Sequence, residues 1–227
     1  IFLVQIRAML WASESLDNLR IMLPMVSSVM EIDEAMHLIH RAYLEVLEEG
    51  AHVQMPEVGV MIEVPAAVYQ IKDFVQQCDF ISVGSNDLTQ YLLAVDRNNR
   101  RVASLYQAFH PSVLRALKHI VDAAREEGTP VSICGEMAGD PRSAVLLMAM
   151  GYETLSMSAS SLLRVKWVLR KVSLEAAQTL LEQVWKMDNA AVIKSHVDLM
   201  LDRAGLGSFI RPTLFQGASS QEPPVPA

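Results

Sequence analysis

The side chains of this sequence whose type and setting could do chemistry are Glu63, Asn86, Asp87, Arg97 and Cys134. Residues 79–97, DFISVGSNDLTQYLLAVDR, compress a short β-branched run, a glycine where the chain must turn, and a Ser-Asn-Asp start to a helical pattern. An Asn-Asp pair there could do no more than cap free backbone N–H groups. Glu63 closes a second apolar run, residues 58–63, and Val64-Pro65 forces the chain to leave the strand at that point. Its bland alternative is a paired or hydrogen-bonded glutamate. Two carboxylates at the ends of neighbouring strands offer hard oxygen donors, and with waters and a ligand's own oxygens they suit magnesium. Arg97, past the helix that follows Asp87, could fork onto a phosphate or carboxylate. The ligand these residues imply is a small, anionic, metal-chelating molecule. Cys134 follows a β-branched run and precedes Gly135. A thiol with an ordinary pKa of about 8.5 keeps its proton at neutral pH and can donate it, although a cysteine at a buried strand end can equally be a small hydrophobe.

These positions need elements to hold them, and hydrophobic periodicity supplies a regular series. Residues 1 to about 18 read as an amphipathic helix, 19–24 as a strand stopped by Pro24, and 27–49 as a long helix. A strand at 58–63, a helix at 66–77, a strand at 80–83 and a helix from Ser85 follow. His110-Pro111-Ser112 opens a helix to about Gly128, with His110 a loop or cap residue. Residues 130–134 form a fourth strand, 140–150 a helix, and 154–157 a fifth strand ending near Ser158; the rest, to about Ala204, is helical. His37 and His40 lie three apart on the long helix, but with no third ligand nearby they read as a helix face. Residues 206–227, ending QGASSQEPPVPA, are Pro- and Ser-rich without periodicity and are expected to be a disordered tail or a foreign extension.

Strands alternating with helices imply α/β architecture with a parallel sheet covered on both faces, either doubly wound or closed as a barrel. Glu63, Asn86, Asp87, Cys134 and Ser158 all fall at the C-terminal ends of successive strands, the face on which (β/α)8 TIM-type barrels keep their active sites. The fold class expected is therefore such a barrel, with about five of its eight βα units in residues 1–205. A sheet of five barrel strands has two open edges, so the chain alone is expected to self-associate and to be inactive.

With 227 residues, 51% hydrophobic and 20% charged, the chain can bury a sizeable core as one domain. A net charge of −7 and the lack of a basic stripe argue against nucleic acid as partner. No apolar run approaches the roughly 20 residues of a membrane span, and two distant cysteines without metal-ligand spacing read as a reducing, cytoplasmic setting.

Three motifs, GVMIEVPAA (59–67), FISVGSNDLTQYLLAVDRNN (80–99) and ICGEMAGDPRSAVLLMAMG (133–151), resemble the C-terminal phosphoenolpyruvate-binding barrel of enzyme I of the bacterial phosphotransferase system. LRIMLPMVSSVMEI (19–32) and LSMSASSLLRVK (155–166) extend the resemblance over residues 1 to about 205, and the details look most like its nitrogen-related branch. The resemblance implies magnesium ligands at Glu63 and Asp87, phosphoenolpyruvate contacts at Asn86, Asp87 and Arg97, and a proton donor at Cys134. It further implies phosphoryl transfer to a histidine on a separate swivelling domain, release of pyruvate, a small phosphocarrier protein as partner, and a homodimer when complete. No histidine domain is recognisable here, and the family's further phosphate-binding arginines belong to earlier strands. Other phosphoenolpyruvate-using barrels, such as phosphoenolpyruvate synthase or pyruvate phosphate dikinase, share the metal pair and the cysteine. A non-catalytic dimerisation or regulatory module is the alternative of a different class.

Overall fold

The structure is a computed structural model that describes residues 1–210. Helix α1 (Phe2–Ala12) leads to strand β1 (Arg20–Leu23), helix α2 (Val29–Glu48) and strand β2 (Glu57–Ile62). Two short helices, α3 (Pro65–Tyr69) and α4 (Ile71–Val75), precede strand β3 (Phe80–Gly84), which runs directly into helix α5 (Ser85–Leu93). A long loop with a 3-10 turn at Ala103–Leu105 reaches helix α6 (Pro111–Glu127) and strand β4 (Val131–Cys134). Helices α7 (Glu136–Gly139) and α8 (Pro141–Met150) and strand β5 (Thr154–Ser156) complete the sheet. Helices α9 (Ala159–Leu169), α10 (Leu174–Val184), α11 (Ala190–Arg203) and α12 (Gly207–Ile210) follow.

All five strands are parallel and pair in the order β1-β2-β3-β4-β5. A doubly wound sheet reverses its strand order at a switch point, whereas barrel strands follow one another in sequence. The unbroken order therefore makes the sheet five consecutive units of a (β/α)8 barrel, as the rim pattern predicts.

Alternation along the strands separates two faces. Ile21, Leu23, Val58, Val60, Ile62, Ile81, Val83 and Ile133 are buried against the helices in one core. The other series faces the barrel interior in register layers. Met61 lies level with Ser82, Ser132 and Thr154, while Gly84 lies level with Cys134 and Ser156. Glu63, one residue past the last pair of β2 and β3, Ile62 with Val83, joins the Gly84 layer. The uppermost layer thus holds a carboxylate, a thiol and a hydroxyl.

Local chemistry sets the helix ends. Glu31 Oε2 accepts the N–H groups of Ser27 at 2.7 Å and Ser28 at 3.0 Å, which fixes the start of α2. His110 caps α6, its Nδ1 accepting the Ser112 N–H at 3.3 Å, in keeping with its reading as a cap. Several boundaries differ from the sequence expectation. The first helix stops at Ala12 instead of about residue 18. The helix expected over 66–77 breaks at Gln70, whose amide donates to the carbonyls of Ser27 and Ala66. The helical stretch after β5 is three packed helices, and a helical turn, Gly207–Ile210, with Leu206 and Ile210 buried, continues beyond residue 205. The rest of the expected tail, 211–227, lies outside the described residues. Among the described residues no helix is long and apolar enough to cross a membrane.

Candidate active site

The β3–α5 junction is the base of the site. Gly84 is packed so closely that a Cβ there would meet Glu63 Oε2 at 2.6 Å and the Met61 sulfur at 3.0 Å. With no linker between strand and helix, Ser85, Asn86 and Asp87 form the first turn of α5 above the sheet. Ser85 is buried, and its hydroxyl donates to the Cys134 carbonyl at 2.6 Å. Asn86 Oδ1 accepts the Glu136 N–H at 3.0 Å. That bond fixes which end of the amide faces α7 and leaves the Nδ2 donors for another partner. Two hydrogen bonds thus join the first turn of α5 to the Cys134-Gly135-Glu136 turn. Gly135 makes the approach possible: its φ is +97°, and a Cβ would lie 2.5 Å from Ser85 Oγ and 2.9 Å from Asn86 Oδ1.

Glu63 is 5% exposed, and its Oε1 accepts the Met25 N–H at 2.8 Å. Met25 sits just past Pro24 with a left-handed φ of 56°, which turns that amide toward the rim. Burial pushes the Glu63 carboxyl above the usual carboxylate range; the Met25 amide partly offsets this and the Asp87 charge adds to it. Arg97 Nη2 lies 3.6 Å from Asp87 Oδ1, each side chain about one-third exposed, and the Arg97 N–H donates to Gln90 Oε1 at 3.1 Å. The Cys134 thiol donates weakly to the Val83 carbonyl at 3.5 Å. Burial raises its pKa; Ser82 opposes the shift, while the Glu63 and Asp87 charges reinforce it, so the group stays a proton-bearing thiol. Cys78 is different in kind: burial and Asp79 push its thiol up to about 11, its S–H donates to the Phe74 carbonyl at 3.2 Å, and it lies before the first residue of β3, at the end of that strand away from the rim.

Glu63, Asp87 and Cys134 lie within one another's electrostatic reach, with Arg97 beside Asp87 and Asn86 on the same turn. Cys134 and Asn86 also open on a cleft of about 510 Å³ lined further by Glu136, Ser156, Ser158 and Arg164. Glu63, Asp87 and Arg97 stand outside that cleft's walls. Two carboxylates of which the buried one is raised in pKa form a pocket of negative charge that a hard divalent cation would relieve. Among the described residues no group of three or more His, Cys, Asp or Glu side chains is placed to hold a metal ion by itself, so a metal at Glu63 and Asp87 would complete its shell with water or ligand oxygens. His37 bonds to the Asp33 carbonyl and His40 packs beside Tyr43, as a helix face does.

Sequence reasoning missed three contributors. Met25 supplies a backbone amide from 38 residues away. Ser85 lies inside the motif but reads as a cap. The Tyr106 hydroxyl, 20 residues along the chain, donates to the Asn86 carbonyl at 3.3 Å. Only Ser85 carried a local signal, its place in the Ser-Asn-Asp triplet.

Residues 1–174 match the family described as PEP-utilising enzyme, PEP-binding domain. A Salmonella typhimurium protein named phosphoenolpyruvate-dependent phosphotransferase system is 48% identical over 212 residues, 93% of this chain and 28% of that protein. A phosphoenolpyruvate-protein phosphotransferase of Geobacillus stearothermophilus is 42% identical over 197 residues, 86% of this chain and 34% of its own length. The chain thus spans about a third of the curated relatives it matches. Among solved structures, a citrate lyase from Burkholderia xenovorans shares the fold, with a TM-score of 0.57 at 18% identity over 93% of this chain and 70% of that one. With a strand order, a rim and a sequence match that coincide, the chain belongs to the PEP-utilising enzyme, PEP-binding domain family.

Proposed function

We propose that these residues bind phosphoenolpyruvate with magnesium at the C-terminal rim, as part of an enzyme I of the nitrogen-related branch. The observation that carries the reading is the convergence of Glu63, Asp87, Arg97, Asn86 and the protonated Cys134 thiol from three consecutive strand ends. Glu63 and Asp87 would hold the metal, which when bound offsets negative charge on phosphate and enolate oxygens.

The side chains divide the remaining work. Arg97 already faces a carboxylate oxygen and can turn its fork to a phosphate, exchanging one anion for another. Asn86, its Oδ1 committed to Glu136, offers N–H donors to the ligand. The phosphoryl group leaves for a histidine on a separate domain, its P–O bond breaking with the electron pair retained on the enolate. Cys134 then gives its proton to the methylene carbon, and pyruvate departs. The raised thiol pKa suits this order of events, because the proton stays on sulfur until carbon becomes basic. A small phosphocarrier protein, a homodimeric enzyme and a cytoplasmic setting complete the reading.

The test is a titration of phosphoenolpyruvate with and without magnesium, by calorimetry. The protein is a complete phosphotransferase in which these residues replace the matching segment of the Salmonella relative. Magnesium-dependent binding is expected, with Glu63→Ala and Asp87→Ala each abolishing it while the far-UV spectrum stays that of the parent. Tight binding by either variant would overturn the metal assignment, and no binding by the parent would favour a non-catalytic module.

A further inference from the structure

The loop between α5 and α6, residues 94–110, carries Arg97 out from the barrel and back. Val95 and Phe109, both 7% exposed, anchor its two ends. Between them Asp96 and 98–101 are exposed. The Asn98 N–H bonds to Asp96 Oδ1 and the Arg101 N–H to Asn99 Oδ1, bonds that shape the loop without fastening it to anything. Fastening comes from contacts with α5. The Arg97 N–H donates to Gln90 Oε1 at 3.1 Å, the guanidinium faces Asp87 at 3.6 Å, and the Tyr106 hydroxyl donates to the Asn86 carbonyl at 3.3 Å. The first two act on one side of the exposed excursion, and Tyr106 closes the other.

Tyr106 is half-buried, and its oxygen sits where several groups of the site meet. The fully buried Thr89 hydroxyl and the Arg97 guanidinium both lie close enough to act on the phenol oxygen. A loop that bears a ligand-binding arginine beside an exposed excursion would otherwise lose its conformational freedom on binding, at a cost to affinity.

We propose that Tyr106 is a positioning residue: its hydroxyl straps the 94–110 loop to the first turn of α5, so that Arg97 and Asn86 meet an anionic ligand as one pre-ordered unit. The identity of that ligand as phosphoenolpyruvate rests on the function proposed above; the strap itself does not. Tyr106→Phe is the variant, because it keeps the ring and removes the one donor. In the 227-residue chain, amide hydrogen exchange across 97–106 should quicken about fivefold, the scale of one hydrogen bond, with exchange in α6 and β4 unchanged. In the complete chimeric enzyme, KM for phosphoenolpyruvate should rise about fivefold with kcat held within about twofold, since the hydroxyl touches no reacting atom. Unchanged exchange in the loop overturns the strap. Faster exchange with unchanged KM overturns the positioning role, and faster exchange throughout α6 and β4 shows a merely structural tyrosine. A parent enzyme that ignores phosphoenolpyruvate overturns the functional reading, and the exchange measurement then decides the strap by itself.

Discussion

Glu63 sits in a place that disfavours its charge, with one backbone N–H to satisfy it and Asp87 nearby. Its folded pKa lies above the unfolded value of 4.5, so the folded state holds the proton more tightly. The stability this gives is complete below about pH 4.5 and is lost as pH rises through the higher folded value. At pH 7.5, without magnesium, Glu63→Gln should therefore melt above wild type; each 1 kcal/mol of relief appears as about 2–4 °C in a domain of this size. The difference should vanish near pH 4.5, and adding magnesium should raise the wild-type Tm alone. Equal melting of the two proteins at pH 7.5 would mean that Glu63 is an ordinary satisfied carboxylate. At this scale the sequence was informative where a residue ended a strand, because Val64-Pro65 and Gly84 locate Glu63 and Asp87 at the C-terminal ends of β2 and β3. It was silent on the Met25 amide and the Tyr106 hydroxyl, whose partners are set by how loops return across the rim and leave no periodic trace.

Among elements, the meeting of β4 with α5 governs the site more than either does separately. Ser85 and Asn86 reach the Cys134 carbonyl and the Glu136 amide only because Gly135 has no side chain and adopts a φ of +97°. Gly135→Ala should cost about 1–3 kcal/mol from the left-handed backbone alone, and more from the Cβ that would press on Ser85 Oγ at 2.5 Å. Thermal unfolding measures the loss, and Ser85→Ala in the same chain should recover part of it by removing the obstructing oxygen. A Gly135→Ala protein as stable as wild type would refute the close approach. Elements were the most readable scale, since each strand is a short β-branched or apolar run between turn residues. The errors share one cause: tertiary partners decide where helices break. Gln70 leaves its helix to bond the Ser27 carbonyl on the loop before α2. At the other end of the chain, Arg142 binds Asp140, Asp198 and the Ile210 carbonyl, holding the α12 turn in place where composition suggested disorder.

The whole molecule is an arc of sheet with a covered outer face and an inner face on which the alternate residues are Met22, Met61, Ser82, Ser132, Cys134 and Ser156. Among the described residues β1 and β5 each pair on one side only, so their far edges carry strand N–H and C=O groups without a strand partner there. Apolar side chains extend the open surface: Met22 on the inner face is 39% exposed, Val4 on α1 69% and Leu163 on α9 78%. Sheet edges of this kind recruit further strands, because a new chain satisfies the backbone groups and covers apolar surface together. A polypeptide of these 227 residues should therefore self-associate in a concentration-dependent way, seen by sedimentation velocity across a tenfold or larger range of protein. It should also release no pyruvate from phosphoenolpyruvate with magnesium and a phosphocarrier protein, since the reading above assigns the phosphoryl acceptor to a separate domain. On the first edge strand the charged Arg20, paired with Glu57 of the neighbouring β2 at 2.8 Å, opposes association and leaves the short β5 edge as the more adhesive one. A lysine in place of Thr154, an inner-face residue of β5, should then weaken association more than a further charge placed on β1. A monodisperse monomer at all concentrations would show that both edges are already protected, and pyruvate release from it would place an acceptor within these residues.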